Sequence, residues 1–242
     1  MTFKDRGIVL KETAVKESDK QLVLLLEKRG KTLITAKGAR KLSSKFSAAT
    51  ELFCYSEFII YDGGNFLSLA QSEQIRNFFG IRNDYEMFVT ANLFLEMADK
   101  MILPEMETKE ALELLLRVYN RMDKKVISPR LASIIFQIKF LQTEGLSPSV
   151  DSCVKCGRTA SGPAFYKTGI ICGGCRGIFA DTDIVLPISE SSVYTIQYIL
   201  NSEIKDLFQF NLAEYVIDEL CRIVDEFRNY NCQMAFKSLE LL

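Results

Sequence analysis

The amino-acid sequence predicts an α+β protein with a five-stranded N-terminal barrel, an all-helical domain, and a four-cysteine zinc module inserted in that domain. Three observations predict this class. Short apolar stretches alternate with turn residues over residues 1–78, the apolar period lengthens from two residues to a helical one near residues 76–83, and two C-x-x-C pairs follow. The predicted ranges are 1–78 for the barrel, 79–150 for the first helical segment, 151–180 for the zinc module, and 181–242 for the helices that complete the helical domain.

The N-terminal strands are predicted from apolar runs rich in β-branched and aromatic residues. Turn residues separate these runs, and the sequence DGGN at 62–65 is a strong hairpin signal because glycine accepts positive φ angles. Five short strands in about 70 residues fit a small closed barrel, and the OB-fold is the five-stranded candidate. The predicted strands are residues 7–10, 21–26, 31–36, 52–61 and 66–70.

The helices are predicted from apolar residues that recur on one helical face. The first helix is followed by Pro104, the second starts near Thr108, and the third opens at Ser128-Pro129 and closes at Gly145. Two further helices follow the cysteine segment. The five apolar faces span residues 87–102, 112–122, 131–141, 193–200 and 216–227.

The composition limits the chemistry that the chain performs. Of the 242 residues, 48% are hydrophobic and none is histidine. The absence of histidine removes histidine-based nucleophile activation, general base catalysis and metal sites, and no motif points to carboxylate chemistry, so we expect a non-enzyme. No apolar run approaches the roughly 20 residues of a membrane-spanning helix, so we expect a soluble cytoplasmic protein without membrane contact, in which closely spaced cysteines are metal ligands rather than disulfides.

The cysteine cluster is predicted to be a structural zinc site. Two pairs, Cys153 with Cys156 and Cys172 with Cys175, are separated by fifteen residues, which is the spacing of a two-knuckle, four-cysteine zinc ribbon. A hairpin with its turn at 167–169 is predicted between the knuckles. A redox pair and an iron–sulfur cluster are the alternatives. If zinc binds, four thiolates fill its tetrahedral coordination and leave no open position for catalysis.

A run of basic residues in the barrel predicts a polyanionic partner. Residues 1–78 carry 13 Lys and Arg against 9 Asp and Glu, and residues 28–45 hold seven basic residues and no acidic one. Ser43 and Ser44 are candidate phosphate donors, and Phe46 is a candidate to stack on a base. We expect phosphate contacts without base-specific recognition. The predicted DNA-binding residues are Lys28, Arg29, Lys31, Lys37, Arg40, Lys41 and Lys45.

Taken together, these residues resemble the bacterial recombination mediator family RecO. The likeness runs over the whole chain in order, and it is carried by the I-V-L-K strand, the E-S-D turn, A-K-G-A-R-K, the four cysteines and the closing K-S-L-E-L-L. Asn231 stands where the family usually has histidine. The resemblance implies an N-terminal OB-fold, a helical body and an inserted zinc module.

The resemblance also implies function and partners. Members of the family bind single- and double-stranded DNA, anneal complementary strands, and work with RecR to load RecA onto strands coated by single-strand DNA-binding protein. The family's DNA contacts on the barrel correspond to Lys37, Arg40 and Lys41, and the remaining basic residues of the run are helpers. The acidic C-terminal tail of single-strand DNA-binding protein docks on the helical body, where the dense basic group is Arg117, Arg121, Lys124, Lys125 and Arg130. We expect a cytoplasmic, nucleoid-associated protein.

Two other functions remain open from the residues alone. One is an adaptor whose barrel and zinc ribbon bind proteins and not DNA. The other is a zinc-ribbon enzyme that uses carboxylates.

Overall fold

The computed structural model describes residues 1–179 and 183–241. The chain forms two compact units. The first contains residues 1–126 and the C-terminal segment that begins at Phe236, and the second contains Ile127–Ala235.

The first unit opens with a closed five-stranded barrel, as predicted. Its strand order is β1-β2-β3-β5-β4, with β4 pairing back to β1. Neighbouring strands are antiparallel except for β3 and β5, which pair in parallel at Thr35 and Ser68. This is the ring order of an OB-like sheet. The strands are β1 (Thr2–Val15), β2 (Asp19–Leu26), β3 (Gly30–Ala36), β4 (Cys54–Asp62) and β5 (Leu67–Asn77).

Alternating side chains fill the barrel, because successive residues of a strand point to opposite faces. The buried core includes Leu22, Leu24 and Leu26 of β2 together with Phe58 and Ile60 of β4. At Gly7 of β1 the backbone of β2 comes so close that an added Cβ would lie 2.1 Å from the carbonyl oxygen of Leu25. Glycine is therefore required for β1 to close against β2.

Three helices complete the first unit, namely α1 (Phe79–Arg82), α2 (Tyr85–Met101) and α3 (Lys109–Asp123). The Asp84 side chain caps α2 by accepting a hydrogen bond from the N–H of Met87 at 3.0 Å. Tyr119 of α3 is fully buried beside an aromatic cluster, and its hydroxyl donates to the carbonyl of Ala91 at 2.8 Å. A short 3₁₀ helix, Lys237–Leu241, packs against α2.

The second unit combines helices with a small three-stranded sheet. The sheet has the order β7-β6-β8. Pro129 at the first turn of α4 and the capping side chain of Ser128 explain why that helix begins where it does. The elements are α4 (Pro129–Thr143), β6 (Ala164–Tyr166), β7 (Gly169–Ile171), α5 (Gly173–Arg176), β8 (Leu186–Pro187), α6 (Glu190–Asn201) and α7 (Glu214–Cys232).

The five predicted strands and the five predicted helices are all present. Their bounds lie within a few residues of the predicted ones, except that β1, β5 and α7 are longer. The division into separate domains at 78/79, 150/151 and 180/181 stays a prediction. In the described part of the chain, no helix combines the length and the apolar content that crossing a membrane requires.

Candidate functional site

The four cysteines of the predicted metal site converge in the second unit. Their Sγ atoms all lie within 4.8 Å of one another, and those of Cys156 and Cys172 are 3.8 Å apart. Four sulfurs at about 2.3 Å from a tetrahedral zinc ion are about 3.8 Å apart. The cluster therefore has the size that a bound metal ion such as zinc requires.

Local backbone structure builds the two knuckles. In the first, the N–H of Gly157 donates to the carbonyl of Cys153 at 2.8 Å, and Gly157 has a φ of 72° that glycine adopts without strain. The second knuckle spans the start of α5, where the N–H of Cys175 donates to the carbonyl of Cys172 at 3.0 Å. The predicted hairpin, β6–β7, connects the two knuckles and brings them together.

The electrostatics of the thiols favour a cation. Burial opposes ionisation of Cys153, but hydrogen bonds from the backbone N–H groups of Cys172, Cys156 and Lys155 outweigh it and lower its pKa to about 6. The pKa of Cys175 is raised to about 12, chiefly because Cys172 and Cys156 share hydrogen bonds with its thiol. Four thiolates this close repel one another, so full ionisation of the set needs a positive ion among them.

The predicted DNA-binding residues divide between the two ends of β3. Leu26 pairs with Gly30 at one end of the β2–β3 ladder, and Lys20 pairs with Ala36 at the other. The six residue-to-residue steps from Lys31 to Lys37 span about 20 Å at about 3.3 Å per step. The basic run of the sequence is thus two separate groups on the barrel.

The first group lies at the β2–β3 turn and is partly engaged by other residues. Lys31 forms an ion pair with Asp99 of α2 at 3.2 Å and donates to the Asp99 carbonyl. The Arg29 guanidinium lies 3.8 Å from the centre of the Phe3 ring. Lys28 is exposed, and its backbone N–H donates to the buried carboxylate of Asp5 at 3.3 Å. Asp5, which the sequence reasoning did not single out, thereby holds the turn in place.

The second group lies at the other end of β3, on the loop that leads to β4. We call residues 37–45 the basic loop. Its four basic side chains are exposed, and no carboxylate within residues 1–179 and 183–241 forms an ion pair with any of them. These side chains are Lys37, Arg40, Lys41 and Lys45.

Hydrogen bonds of the Arg40 side chain help to order the basic loop. The Arg40 guanidinium donates to the carbonyls of Lys16 and Glu17 in the β1–β2 turn, at 3.3 and 3.2 Å. This places the exposed side chain of Lys16, a further cation that the sequence reasoning missed, in the turn beside the loop. The prediction that Phe46 stacks on a base is wrong, because Phe46 is only 8% exposed and packs in the barrel core.

The predicted partner-binding group is divided between the two units. Arg117 is ion-paired with Glu113 at 2.7 Å, and Lys124 and Lys125 are exposed at the end of α3. In the second unit, Arg130 forms ion pairs with Asp218 and Glu214. The pKa of its guanidinium is raised, chiefly by the hydrogen bond to Asp218. Arg121 is half-buried in α3.

An OB-like barrel with a basic loop, followed by helices that carry a tetrathiolate cluster, defines a class of binding protein built around a barrel and a metal-binding module. Two family models match this chain, and together they cover nearly all of it. "Recombination protein O N terminal" matches residues 1–78, and "Recombination protein O C terminal" matches residues 82–240.

Named relatives also match this chain along nearly its whole length. DNA repair protein RecO of Acetivibrio thermocellus is 31% identical to this chain, and the alignment covers 99% of this chain and 96% of the relative's length. The protein of the same name from Alkaliphilus metalliredigens is 27% identical, over 100% of this chain and 98% of the relative's length. The one from Listeria welshimeri is 28% identical, over 99% of this chain and 93% of the relative's length. The chain therefore belongs to the RecO family of DNA repair and recombination proteins, which are mediators and not enzymes.

Proposed function

We propose that this protein binds single- and double-stranded DNA through phosphate contacts on the barrel and anneals complementary strands. The observation that carries the proposal is the basic loop, where Lys37, Arg40 and Lys41 are exposed without carboxylate partners among the described residues. Such cations attract phosphates and release condensed counterions on binding. Lys45, Lys28 and Arg29 add positive charge, and Lys31 contributes less because Asp99 neutralises it.

The family relationship extends the proposal to partners. We propose that the chain acts with RecR to help load RecA onto single strands coated by single-strand DNA-binding protein, in the cytoplasm and at the nucleoid. Lys124 and Lys125 are the better candidates to receive the acidic tail of that protein, because they are exposed while Arg117 and Arg130 already bind carboxylates.

The ion of the four-cysteine cluster is proposed to be zinc in a structural role. All four donors are cysteine sulfurs, which leaves a tetrahedral ion no open position. Cys153, Cys156, Cys172 and Cys175 would hold the ion, and what it supplies is stability for the module.

The test is annealing of two complementary oligonucleotides at two salt concentrations. We expect the unaltered protein to anneal them, more weakly at high salt, and the triple variant Lys37→Glu, Arg40→Glu, Lys41→Glu to lose the activity. A matched control reverses three exposed cations outside the barrel, Lys109→Glu, Lys205→Glu and Arg222→Glu, and should retain annealing. Absence of annealing and of DNA retention at low salt by the unaltered protein would overturn the proposal in favour of a protein-binding adaptor.

A further inference from the structure

Two aromatic rings stand exposed on the outer face of the barrel, at the β4–β5 hairpin. Tyr61 is 44% exposed and Phe66 is 53% exposed, and their ring centres are 6.2 Å apart with an interplanar angle of 46°. Ile60, which precedes Tyr61, and its cross-strand partner Leu69 point into the barrel core instead. The two rings therefore form a paired apolar surface that the core does not use.

The turn between the strands holds the rings in place. The N–H of Gly63 donates to the carbonyl of Phe66 at 3.0 Å, and the N–H of Gly64 donates to the carboxylate of Asp62 at 2.9 Å. The Phe66 ring lies against Gly63 so closely that an added Cβ would be 2.7 Å from it. Phe66 is thus seated on the backbone of its own turn, and its orientation is fixed before any ligand binds.

The strand register places the ring pair beside the basic loop. Tyr61 pairs with Ser68 across β4 and β5, and Ser68 pairs with Thr35 across β5 and β3. Tyr61 and Thr35 are therefore two strands apart, about 10 Å at the usual spacing between strands. Thr35 is half-buried between the buried Ile34 and Ala36, which places it on the outer face, and the basic loop begins two residues later at Lys37.

We infer that Tyr61 and Phe66 form a stacking platform for the bases of a single strand whose phosphates contact the basic loop. The inference rests on the proposed DNA binding and adds to it a preference for unpaired bases. Aromatic rings stack on any base, because every base has a π face, whereas the bases of a duplex already stack on one another. The hairpin therefore distinguishes single strands from duplexes without reading their sequence.

The test compares three DNAs of equal length, namely a single strand, a duplex, and an abasic strand with the same phosphates and no bases. In the double variant Tyr61→Leu, Phe66→Leu, the side chains stay apolar but lose their rings. We expect it to bind the single strand about 10-fold more weakly or worse, from the usual contribution of stacking per base, and to bind the duplex and the abasic strand within about twofold of the unaltered protein. Quenching of 2-aminopurine fluorescence in the single strand should be lost in parallel.

Two controls separate the ring effect from other causes. Ile75→Ala removes a different exposed apolar side chain from β5 and should leave single-strand affinity unchanged. Tyr61→Phe keeps the ring, so it should retain both affinity and quenching. A thermal melt of each variant shows that the barrel is folded before binding is compared.

The outcomes distinguish failure of this inference from failure of the proposed function. Unchanged single-strand affinity and quenching in the double variant would overturn the platform, provided that the basic-loop triple variant loses binding. Equal losses for single strand and duplex would also overturn it, because stacking on unpaired bases predicts a difference. If the unaltered protein binds none of the three DNAs at low salt, the DNA-binding proposal fails first.

Discussion

At the scale of single residues, Lys31 and Lys41 show how the same side chain serves different purposes on one barrel. The side chain of Lys31 is 18% exposed, and its ammonium group contacts both the carboxylate and the backbone carbonyl of Asp99. Lys41 is exposed on the basic loop and has no ion pair within the described residues. The first residue joins the barrel to α2, and the second is a proposed DNA contact.

This contrast predicts opposite effects of two alanine substitutions. Lys31→Ala should lower the free energy of unfolding by about 1–2 kcal/mol, because it leaves a half-buried carboxylate poorly paired, and should change DNA affinity little. Lys41→Ala should leave stability within about 0.5 kcal/mol and reduce the magnitude of the salt slope for single-strand binding by about 0.7, the share of one phosphate. Urea unfolding and fluorescence anisotropy measure the two quantities. The opposite pattern would show that Lys31 is the DNA contact.

Glu96 of α2 holds the C-terminal segment of the first unit. Its carboxylate accepts hydrogen bonds from the N–H groups of Lys237 and Ser238, both at 2.9 Å, and from the Ser238 hydroxyl at 2.8 Å. Burial of the Glu96 carboxyl favours its neutral form, but these bonds and the ion pair with Lys100 outweigh burial and lower its pKa to about 2.

The lowered pKa gives the contact a defined pH dependence. Because the folded-state pKa lies below the unfolded one of about 4.5, the stabilisation is complete above pH 4.5 and is lost as the pH falls towards 2. Glu96→Gln should therefore lower the free energy of unfolding by about 1–2 kcal/mol at pH 7, and its difference from the unaltered protein should shrink by pH 3. Glu107→Gln changes an exposed carboxylate of the same unit and serves as the control. A pH-independent difference would assign the effect to packing instead.

At the scale of elements, the β6–β7 hairpin depends on one close backbone approach. A Cβ at Gly169 would lie 2.2 Å from the carbonyl oxygen of Ser149, whereas a Cβ at Gly174 in α5 would meet nothing within 4 Å. Ser149 also exchanges backbone hydrogen bonds with this hairpin, through Thr168 and Ile170 at 2.9 Å each. The hairpin is thus held against the preceding chain segment by contacts that leave no room for a side chain.

A matched pair of alanine substitutions tests this arrangement. Gly169→Ala should destabilise the second unit by about 2 kcal/mol or more and weaken metal binding, because the backbone has to move apart. Gly174→Ala should be close to neutral, since alanine is favoured over glycine in a helix. Thermal denaturation and zinc content of the two purified variants give the comparison. Equal effects of the two changes would mean that the hairpin accommodates the extra carbon.

The metal module itself is expected to depend on its ion. Removing one ligand by Cys175→Ser, or removing the ion with a chelator, should abolish stoichiometric zinc and reduce the hydrogen-exchange protection of residues 164–171, because the buried cluster beside this hairpin consists, among the described residues, largely of the cysteines themselves. Cys221→Ser changes a half-buried thiol outside the cluster and should keep full zinc content. Full protection without metal would contradict the structural role.

The sequence predicts those features that depend on local patterns, and it does not predict those that depend on contacts between distant segments of the chain. The strand alternation of β2 and the knuckle spacing of Cys153 with Cys156 are local, and both predictions are confirmed. The sequence also places Lys31 at a turn and Lys37 in the loop after β3, but it does not show that Lys31 is ion-paired with Asp99 of α2. Burial of Phe46 is likewise a product of loop packing, which has no periodic signature in the sequence.

At the scale of the whole molecule, charge is unevenly distributed along the chain. Residues 1–78 carry a net charge of +4, while the remaining residues carry 17 Lys and Arg against 22 Asp and Glu, a net charge of −5. The overall value of −1 therefore conceals a positive barrel sequence and a negative remainder. Such an asymmetry favours approach of a polyanion to the barrel rather than to the chain as a whole.

The salt dependence of binding tests whether this asymmetry governs DNA recognition. If the basic loop neutralises about four phosphates of a single strand, the logarithm of the binding constant should fall with the logarithm of salt concentration at a slope of about −3. The triple variant Lys37→Glu, Arg40→Glu, Lys41→Glu should bring the slope to about −1 or closer to zero. The control Lys109→Glu, Lys205→Glu, Arg222→Glu lowers the total charge equally and should keep the slope near −3. If both variants reduce the slope alike, total charge and not the basic loop determines binding, and the phosphate contacts must be sought elsewhere on the chain.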